Sequence, residues 1–386
     1  MKGTIPRNGG YSINMRVKIR EIPGILFIIL SCAFYILKES NLYSVGMKYI
    51  LPVAVLLGCS YLLPTLLHKN KNKKWVLLLL LCILITMIRS TDTRMIVAFS
   101  AVVVGMNLSD KSIWKSSLLS RVIFFALAMM SGGIGHINGV AMQIGAIMFA
   151  YLLYRNDKFN RKDFIIFTTV YILGALYTKS GSFIVSGGFA IVLLFFYKRK
   201  TVKKVLASNF IRFIYPITLV ANVIMCFAVA DQYFSSVRRC FSVISFGVLP
   251  KVFDAMDRLT SSRLLLGGES LHRYGISLFG GNIQYESLND GFSYFNVDSG
   301  MLWLLQGWGL IMTVVVLGLF SFTMKTLQNE KKHHAVIVGF ILALWSANED
   351  MLVSISANIM FYVVGQALAS TVRRQKMKEI DKYANT

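Results

Sequence analysis

The chain has 386 residues, 55% of them hydrophobic, and a formal net charge of +23 at neutral pH. Apolar runs this long and frequent cannot be buried in a soluble domain, so the composition excludes an ordinary soluble globular protein and indicates membrane spans. Because the Lys and Arg residues lie in short segments beside those runs, they are typical of membrane topology signals, and we expect no nucleic acid as a partner.

Twelve apolar runs follow one another along the chain. The first comes after Arg16, Lys18 and Arg20, as in a secretory signal peptide, but no small-residue cleavage site follows it and more runs do. We therefore expect an uncleaved first helix. The sequence predicts an all-α polytopic membrane protein of about twelve transmembrane helices, near residues 22–38, 46–67, 75–90, 94–108, 118–134, 138–154, 163–178, 182–197, 210–230, 298–323, 333–348 and 351–372.

The segments between these runs alternate in charge. The N-terminal segment, every second gap and the C-terminal tail are rich in Lys and Arg. Cytoplasmic loops carry such an excess, so the pattern predicts a multi-pass protein of the plasma (inner) membrane with both termini cytoplasmic. The resulting divisions are a cytoplasmic N-terminus (1–21), helices one to nine (22–230), a large extracytoplasmic loop (231–297), helices ten to twelve (298–372) and a cytoplasmic tail (373–386).

The large loop contains balanced charges and many apolar residues, which argues against disorder. Val252, Phe253, Met256 and Leu259 recur at helical spacing, and Ser261-Ser262 is a suitable N-cap for a second helix. We expect short amphipathic helices that lie on the membrane surface. The pairs Gly267-Gly268 and Gly280-Gly281 predict turns.

The predicted spans carry almost no ionisable residues at their centres; the polar exceptions are uncharged and are expected to form hydrogen bonds between helices. They are Gln143, Asn222, Gln306, Asn358 and Gln366. Charged residues instead lie at the outer ends of the helices, at 89–94, His136, Lys179, Asp298 and 348–350. Together with the large loop, these positions predict one polar cavity at the outer interface. Such a cavity suits an enzyme acting on a lipid-borne substrate better than a permeation path.

One stretch of the chain resembles the end of the large outer loop in Wzy-type polysaccharide polymerases. In that family an Arg on a loop helix is followed by a Leu-Phe-Gly-like turn, an Asp-Asn or Asp-Ser at the start of a span, and a Gly-Leu pair. The matching segments here are Thr260-Ser261-Ser262-Arg263-Leu264, Ser277-Leu278-Phe279-Gly280, Asp298-Ser299-Gly300-Met301-Leu302-Trp303-Leu304-Leu305 and Gly307-Trp308-Gly309-Leu310.

The resemblance implies a membrane-embedded, GT-C-like glycosyltransferase that inverts configuration. Its substrate would be an oligosaccharide repeat unit on undecaprenyl pyrophosphate, polymerised at the outer face of the membrane into a capsule, exopolysaccharide or O-antigen. It also implies that neither a metal nor a cofactor is needed, and that a flippase and a chain-length regulator are candidate partners. No CxxC or metal-spaced Cys/His group occurs in the sequence.

The expected chemistry selects the candidate site residues. Arg grips phosphate oxygens in pairs and can stabilise a departing pyrophosphate, and a base must accept the proton of the acceptor hydroxyl. The predicted catalytic residues are Arg263, His272 and Asp298, with Glu269 and Glu349 as other carboxylate options for the base. The residues predicted to bind pyrophosphate or glycan are Arg89, Arg94, Arg239, Arg258, Arg273 and His136. Ordinary salt bridges, for example between Arg94 and Asp92, are the alternative interpretation.

Three other functions stay open at this stage. An O-antigen ligase-like glycosyltransferase shares the chemistry and differs in its acceptor. A transporter or lipid-linked oligosaccharide flippase requires polar groups along a path through the membrane centre and often has paired halves, neither of which we find in the sequence. A membrane scaffold without enzymatic activity does not require Arg residues around one cavity.

Overall fold

The computed structural model describes residues 19–62, 73–284, 295 and 297–384. Within these ranges the chain is mainly helical, and an isolated β-bridge joins Ser40 to Ile134. The predicted all-α class is confirmed. The basic residues before Ile19, most of the basic loop at 68–74 and part of the large loop, 285–294, lie outside the described residues.

The described residues form eighteen α-helices. Their bounds are α1 (Ile22–Lys38), α2 (Ile50–Cys59), α3 (Lys73–Ser90), α4 (Arg94–Asn107), α5 (Asp110–Met130), α6 (Ile137–Arg155), α7 (Arg161–Thr178), α8 (Gly181–Phe196), α9 (Lys200–Leu206), α10 (Asn209–Arg212), α11 (Ile214–Val229), α12 (Asp231–Ile244), α13 (Val248–Leu259), α14 (Arg263–Tyr274), α15 (Gly300–Gly307), α16 (Gly309–Asn329), α17 (His333–Trp345) and α18 (Met360–Ala384).

Four stretches of helix are long and apolar enough to cross a membrane: Ile19–Lys38, Asp110–Met130, Ile137–Arg155 and Gly309–Asn329. A fifth candidate is the bent pair α11 and α12, whose axes differ by 107°. Several other predicted spans form shorter apolar helices, such as α8 and α17. The described residues therefore support four or five spans by length and composition, and the count of twelve stays a prediction.

The basic loops that the structure describes meet at one end of the helix bundle. Lys332 Nζ lies 3.7 Å from Asp110 Oδ2, Arg374 pairs with Glu330, and Gln328 donates to the carbonyl of Leu206 at 2.8 Å. We call this the basic end. The first residues of α4 and α14, Arg94 and Arg263, lie together at the opposite end of the bundle. The alternation of loops in the sequence thus corresponds to two chemically different ends.

The large loop begins with α12, which the sequence did not predict, and α13, which the spacing of Val252, Phe253, Met256 and Leu259 predicted. The 107° bend turns α12 away from the direction of α11, and α13 follows after Gly247. Helix α14 starts at Arg263, but Ser262 has a φ of 64° and its side chain makes no capping bond. The carboxylate of Asp257 takes that role, because its Oδ1 accepts the N–H of Leu265 at 3.0 Å.

Gly280 lies in a turn with a φ of 75°, as predicted, whereas the prediction for Gly267-Gly268 is wrong because both lie inside α14. A Cβ on Gly268 would lie 2.6 Å from the carbonyl oxygen of Cys226. This pair is glycine because α14 packs closely against α11, not because the chain turns there.

A long buried segment without helix takes up the end of the predicted span 333–348 and the first nine residues of the predicted span 351–372, because α17 ends at Trp345 and α18 begins at Met360. Residues 346–359 are non-helical and mostly buried between α17 and α18. Backbone of this kind is stable within a membrane protein only where its polar groups are paired. Donors from other parts of the chain take five of its carbonyls: Met301 N for Ser346, Asn222 Nδ2 for Ala347, Arg263 for Asn348, Gly300 N for Glu349 and Arg121 for Ile355. Within the segment, Asn358 Nδ2 donates to the carbonyl of Leu352.

Helix α18 packs against α4 through two glycines. A Cβ on Gly105 would lie 2.3 Å from the carbonyl oxygen of Tyr362, and one on Gly365 would lie 2.1 Å from that of Val102. These distances are shorter than any real contact, so the two helices approach each other with backbone against backbone.

We expect Gly365→Ala to destabilise the protein by about 1–3 kcal/mol or more, because the added methyl group forces α4 and α18 apart. Gly318→Ala is the matched control, since no atom lies within 4 Å of the added Cβ. The measurement is the unfolding midpoint of each variant in a detergent titration. Equal midpoints for the two variants would contradict the backbone contact.

Candidate active site: a charged cluster at one end of the bundle

Arg263, the first residue of α14, holds three groups from two other segments. Its Nε lies 3.1 Å from Asp298 Oδ2, and one terminal nitrogen lies 2.6 Å from Glu349 Oε1. The same nitrogen donates to the carbonyl oxygen of Asn348. Ser182 Oγ also donates to Glu349 Oε1 at 2.5 Å. The start of the loop helix is therefore fixed against the residues before α15 and after α17.

Arg94, the first residue of α4, is held in a similar way. Its Nε lies 3.0 Å from Asp92 Oδ1, and one terminal nitrogen lies 2.5 Å from Asp350 Oδ2. The guanidinium lies over the ring of Trp303 at 4.6 Å. The indole N–H groups of Trp303 and Trp308 donate to Asp92 Oδ2 at 2.9 and 3.0 Å, and so fix the carboxylate that orients Arg94.

The two arginines converge on consecutive residues of one segment, because Arg263 contacts Asn348 and Glu349 and Arg94 contacts Asp350. The charged cluster is defined here as Asp92, Arg94, Arg263, Asp298, Glu349 and Asp350. Its four carboxyl groups fall into two classes. The side chains of Asp92 and Glu349 are 7% and 5% exposed, whereas those of Asp298 and Asp350 are 26% and 32% exposed.

The two more accessible carboxyl groups have raised pKa values. Burial raises the pKa of Asp298, and the charges of Arg263 and His136 oppose that effect. Burial also raises the pKa of Asp350 to about 6, with Arg94 opposing and Asp92 reinforcing the effect. Asp350 Oδ1 is buried and accepts no hydrogen bond from the described residues. Asp350 can therefore exchange a proton near neutral pH, as a general acid or base must, and the pKa of Asp298 is shifted in the same direction.

His136 belongs to the surroundings of this cluster. It is the N-cap of α6, where its Nδ1 accepts the N–H of Asn138 at 3.3 Å, and its side chain is exposed. Its charge lowers the pKa of Asp298 and also that of Glu39. The predicted site residues Arg94, Arg263, Asp298 and His136 thus share one site.

The other predicted site residues have different surroundings. His272 is exposed and stacks on Tyr233 with ring centroids 4.4 Å apart. Arg273 pairs with Glu269 on its own helix and lies over the ring of Phe295 at 4.6 Å. The structure gives none of these contacts to a member of the charged cluster.

Three more predicted arginines are also not joined to the charged cluster. Arg89, Arg239 and Arg258 are exposed, and no ion pair to them occurs among the described residues. The neighbour of Arg239, Arg238, forms a bidentate pair with Asp254 at 2.7 and 2.8 Å. The expected convergence of arginines is therefore limited to Arg94 and Arg263.

Sequence reasoning missed Arg121. This residue lies in α5 inside a predicted span, is 1% exposed, and contradicts the prediction of spans almost free of ionisable residues. Its Nε donates to Ser117 Oγ at 3.1 Å and one terminal nitrogen donates to the carbonyl oxygen of Ile355 at 3.3 Å. The other terminal nitrogen is buried without a partner among the described residues. A lone Arg in an apolar run was the available signal.

An apolar groove starts beside the charged cluster. It has a volume of about 510 Å³ and lies between α3, α4, α16 and α18. Trp308, which binds Asp92, and Met95, which follows Arg94, line one end of it; Asn107 and Arg373 line the other. The groove therefore extends along α4 from the charged cluster to the basic end and can hold a long apolar chain.

No family model, no curated protein and no solved structure matches this chain. Among the described residues, no group of three or more His, Cys, Asp or Glu side chains is arranged to hold a metal ion. The site is therefore interpreted from its own geometry.

We expect the pH dependence of stability to reveal Asp350. Because its folded pKa of about 6 lies above its ordinary value near 4, the folded protein binds the extra proton. Its contribution to stability is full below pH 4 and is lost as the pH rises to about 6. Unfolding midpoints between pH 4 and 7 should fall more in the wild type than in Asp350→Asn. Parallel curves for the two proteins would refute the assignment.

We expect Arg121→Gln to destabilise the protein by about 1–3 kcal/mol, because the carbonyl of Ile355 loses a buried donor. Ser120→Ala is the matched control, since Ser120 Oγ donates to Ser116 O of its own helix at 2.7 Å and to no other residue that the structure describes. Amide hydrogen exchange should accelerate in residues 351–358 of Arg121→Gln and stay slow in the control. Unchanged exchange in both variants would show that Arg121 does not hold the segment.

Proposed function

We propose that the protein is a membrane-embedded glycosyltransferase that acts on oligosaccharides linked to a polyprenyl pyrophosphate. The observation that carries the proposal is that the charged cluster lies beside an apolar groove of about 510 Å³, since Trp308 lines the groove and donates to Asp92. A lipid-linked sugar has a long apolar tail and a charged diphosphate, and this arrangement offers a place for each.

The reaction requires a leaving group and a base. The acceptor hydroxyl attacks the anomeric carbon, the new C–O bond forms with inversion, and the bond to pyrophosphate breaks with its electron pair on the phosphate oxygen. Arg94 and Arg263 stabilise that developing charge. Asp298, in its ionised form, accepts the hydroxyl proton, with Asp350 next to it as the second titratable group.

The two classes of carboxylate explain how a cluster with more acids than arginines can bind an anion. Asp92 and Glu349 are buried and hold the guanidinium groups in place. Asp298 and Asp350 are more accessible, and burial raises the pKa of each carboxyl group. Phosphate oxygens can take their place beside Arg94 and Arg263 without a loss of the ordering contacts.

Within this proposal the protein polymerises undecaprenyl-pyrophosphate repeat units at the outer face of the plasma membrane. The GT-C-like plan, the twelve spans, the cytoplasmic termini and the partnership with a flippase or chain-length regulator belong to the same proposal. The resemblance to Wzy-type polymerases, which rests on segments around Arg263 and Asp298, supports it. The ligase-like alternative differs only in the acceptor.

A transporter or flippase is the second candidate function. Two features favour it: the non-helical segment 346–359 between α17 and α18, and the buried guanidinium of Arg121 that binds it. Interrupted helices and intramembrane charges are typical of transport proteins. The first candidate ranks higher because the titratable carboxyl groups lie at the end of the bundle, in contact with the arginines.

The test is polymerisation in liposomes that contain a synthetic undecaprenyl-pyrophosphate repeat unit. The wild type should give a ladder of products without added nucleotide. Arg263→Ala should lower the rate by about 10²–10³-fold, since one group that stabilises the transition state is lost. Asp298→Asn should lower it by about 10²–10⁴-fold.

Arg258→Ala is the matched control, because Arg258 is an exposed arginine in the same loop without an ion pair to the described residues. It should retain wild-type activity. Equal activity in Arg263→Ala and Arg258→Ala would overturn the assigned roles. Movement of the intact lipid-linked unit across the bilayer, with no new glycosidic bond, would favour the second candidate.

A further inference from the structure

A second cavity lies at the basic end, far along the bundle from the charged cluster. It has a volume of about 330 Å³ and is bounded by the start of α5, the end of α6, the end of α16, the start of α17 and part of α18. This volume is within the range of ordinary ligand sites. We call it the basic-end pocket.

The pocket has a charged rim and an apolar floor. Four cationic side chains line it, Lys111, Arg155, Lys158 and Lys332, against two carboxyl groups, Asp110 and Glu330. Its apolar wall includes Trp114, Leu153, Leu327 and Val363. A ligand that fits both parts is an anion attached to an apolar body.

The two carboxyl groups do not neutralise the whole rim. The ammonium group of Lys332 lies 3.0 Å from the carboxylate of Glu330 and 3.7 Å from that of Asp110, so it forms an ion pair with each. Arg155 pairs with Asp163 at 2.8 Å. Lys111 and Lys158 are exposed, and neither has an ion pair with the residues whose side chains are described. Two ammonium groups thus remain for an external anion.

We propose that the basic-end pocket binds the phosphate diester of an anionic phospholipid, with Lys111 and Lys158 on the phosphate and the first acyl carbons against Trp114. The pocket lies at the end of helices with apolar surfaces, and basic pockets between such helices are typical sites for anionic headgroups. This inference does not depend on the glycosyltransferase activity.

The test uses the purified full-length protein in a neutral detergent with phosphatidylglycerol as the probe. Phosphatidylglycerol should raise the thermal unfolding midpoint and stay bound in native mass spectrometry. Phosphatidylcholine of the same chain length and inorganic phosphate should do neither. The double variant Lys111→Gln, Lys158→Gln should bind phosphatidylglycerol about 25-fold more weakly, from about fivefold for each Lys near an anionic lipid.

The matched control is the double variant Lys200→Gln, Lys204→Gln. It removes the same charge from two exposed lysines of α9 that do not line the pocket. It should bind phosphatidylglycerol as the wild type does. An equal loss in both double variants would overturn the proposal in favour of diffuse attraction. Binding of inorganic phosphate as strong as that of the lipid would overturn the assignment to a lipid.

Discussion

The structure depends on how the backbone of residues 346–359 is paired. Inside a membrane protein an unpaired peptide group costs several kcal/mol, so an interrupted helix requires a donor for each carbonyl it exposes. Here the donors come from several parts of the chain, among them Arg121 in α5, Asn222 in α11 and Arg263 at the start of α14. The segment is therefore the place where the separate helices are tied together.

The same pairing builds the charged cluster. The segment 346–359 leaves α17 at Trp345, and its first residues are those that meet the two arginines. Arg263 has a double function, because one of its terminal nitrogens serves both a backbone carbonyl and the Glu349 carboxylate. In a regular helix through 346–350, the carbonyl of Asn348 would bond within the helix and would not be free for Arg263. The interruption of the helix therefore makes the geometry of the site possible.

Much of the fold follows from the apolar runs, and most helix positions were predicted from them. The all-α class, the short helices of the large loop and the grouping of the basic loops at one end were all predictable, because hydrophobic periodicity and loop charge are local properties. The interruption at 346–359 was not predictable, since residues 351–359 are as apolar as a helix there would be. What stops the helix is the set of long-range donors.

The site was predicted only in part, because the sequence shows which residues stand at helix ends but not which of them meet. Arg94, Arg263, Asp298 and His136 stand at helix ends, where the sequence indicates a polar interface. Whether an arginine at such an end joins the cluster depends on its rotation about the helix axis. The pair Gly267-Gly268 shows that a local sequence pattern can have two meanings. A glycine pair indicates a turn as readily as a close contact between helices, and here it makes a close helix contact with Cys226.

The balance of charge in the cluster decides whether it can bind an anion. Two guanidinium groups face four carboxyl groups, so a cluster with every acid ionised would repel a diphosphate. Burial, however, raises the pKa of Asp298 and of Asp350, the two more accessible acids. Protonation of Asp350, whose pKa is raised to about 6, removes one negative charge beside Arg94, while Asp298 can stay ionised as the base of the proposed reaction. In the proposed reaction a phosphate of the substrate would then replace the neutral Asp350 carboxyl group beside Arg94, so that protonation of this acid would control when the anion binds.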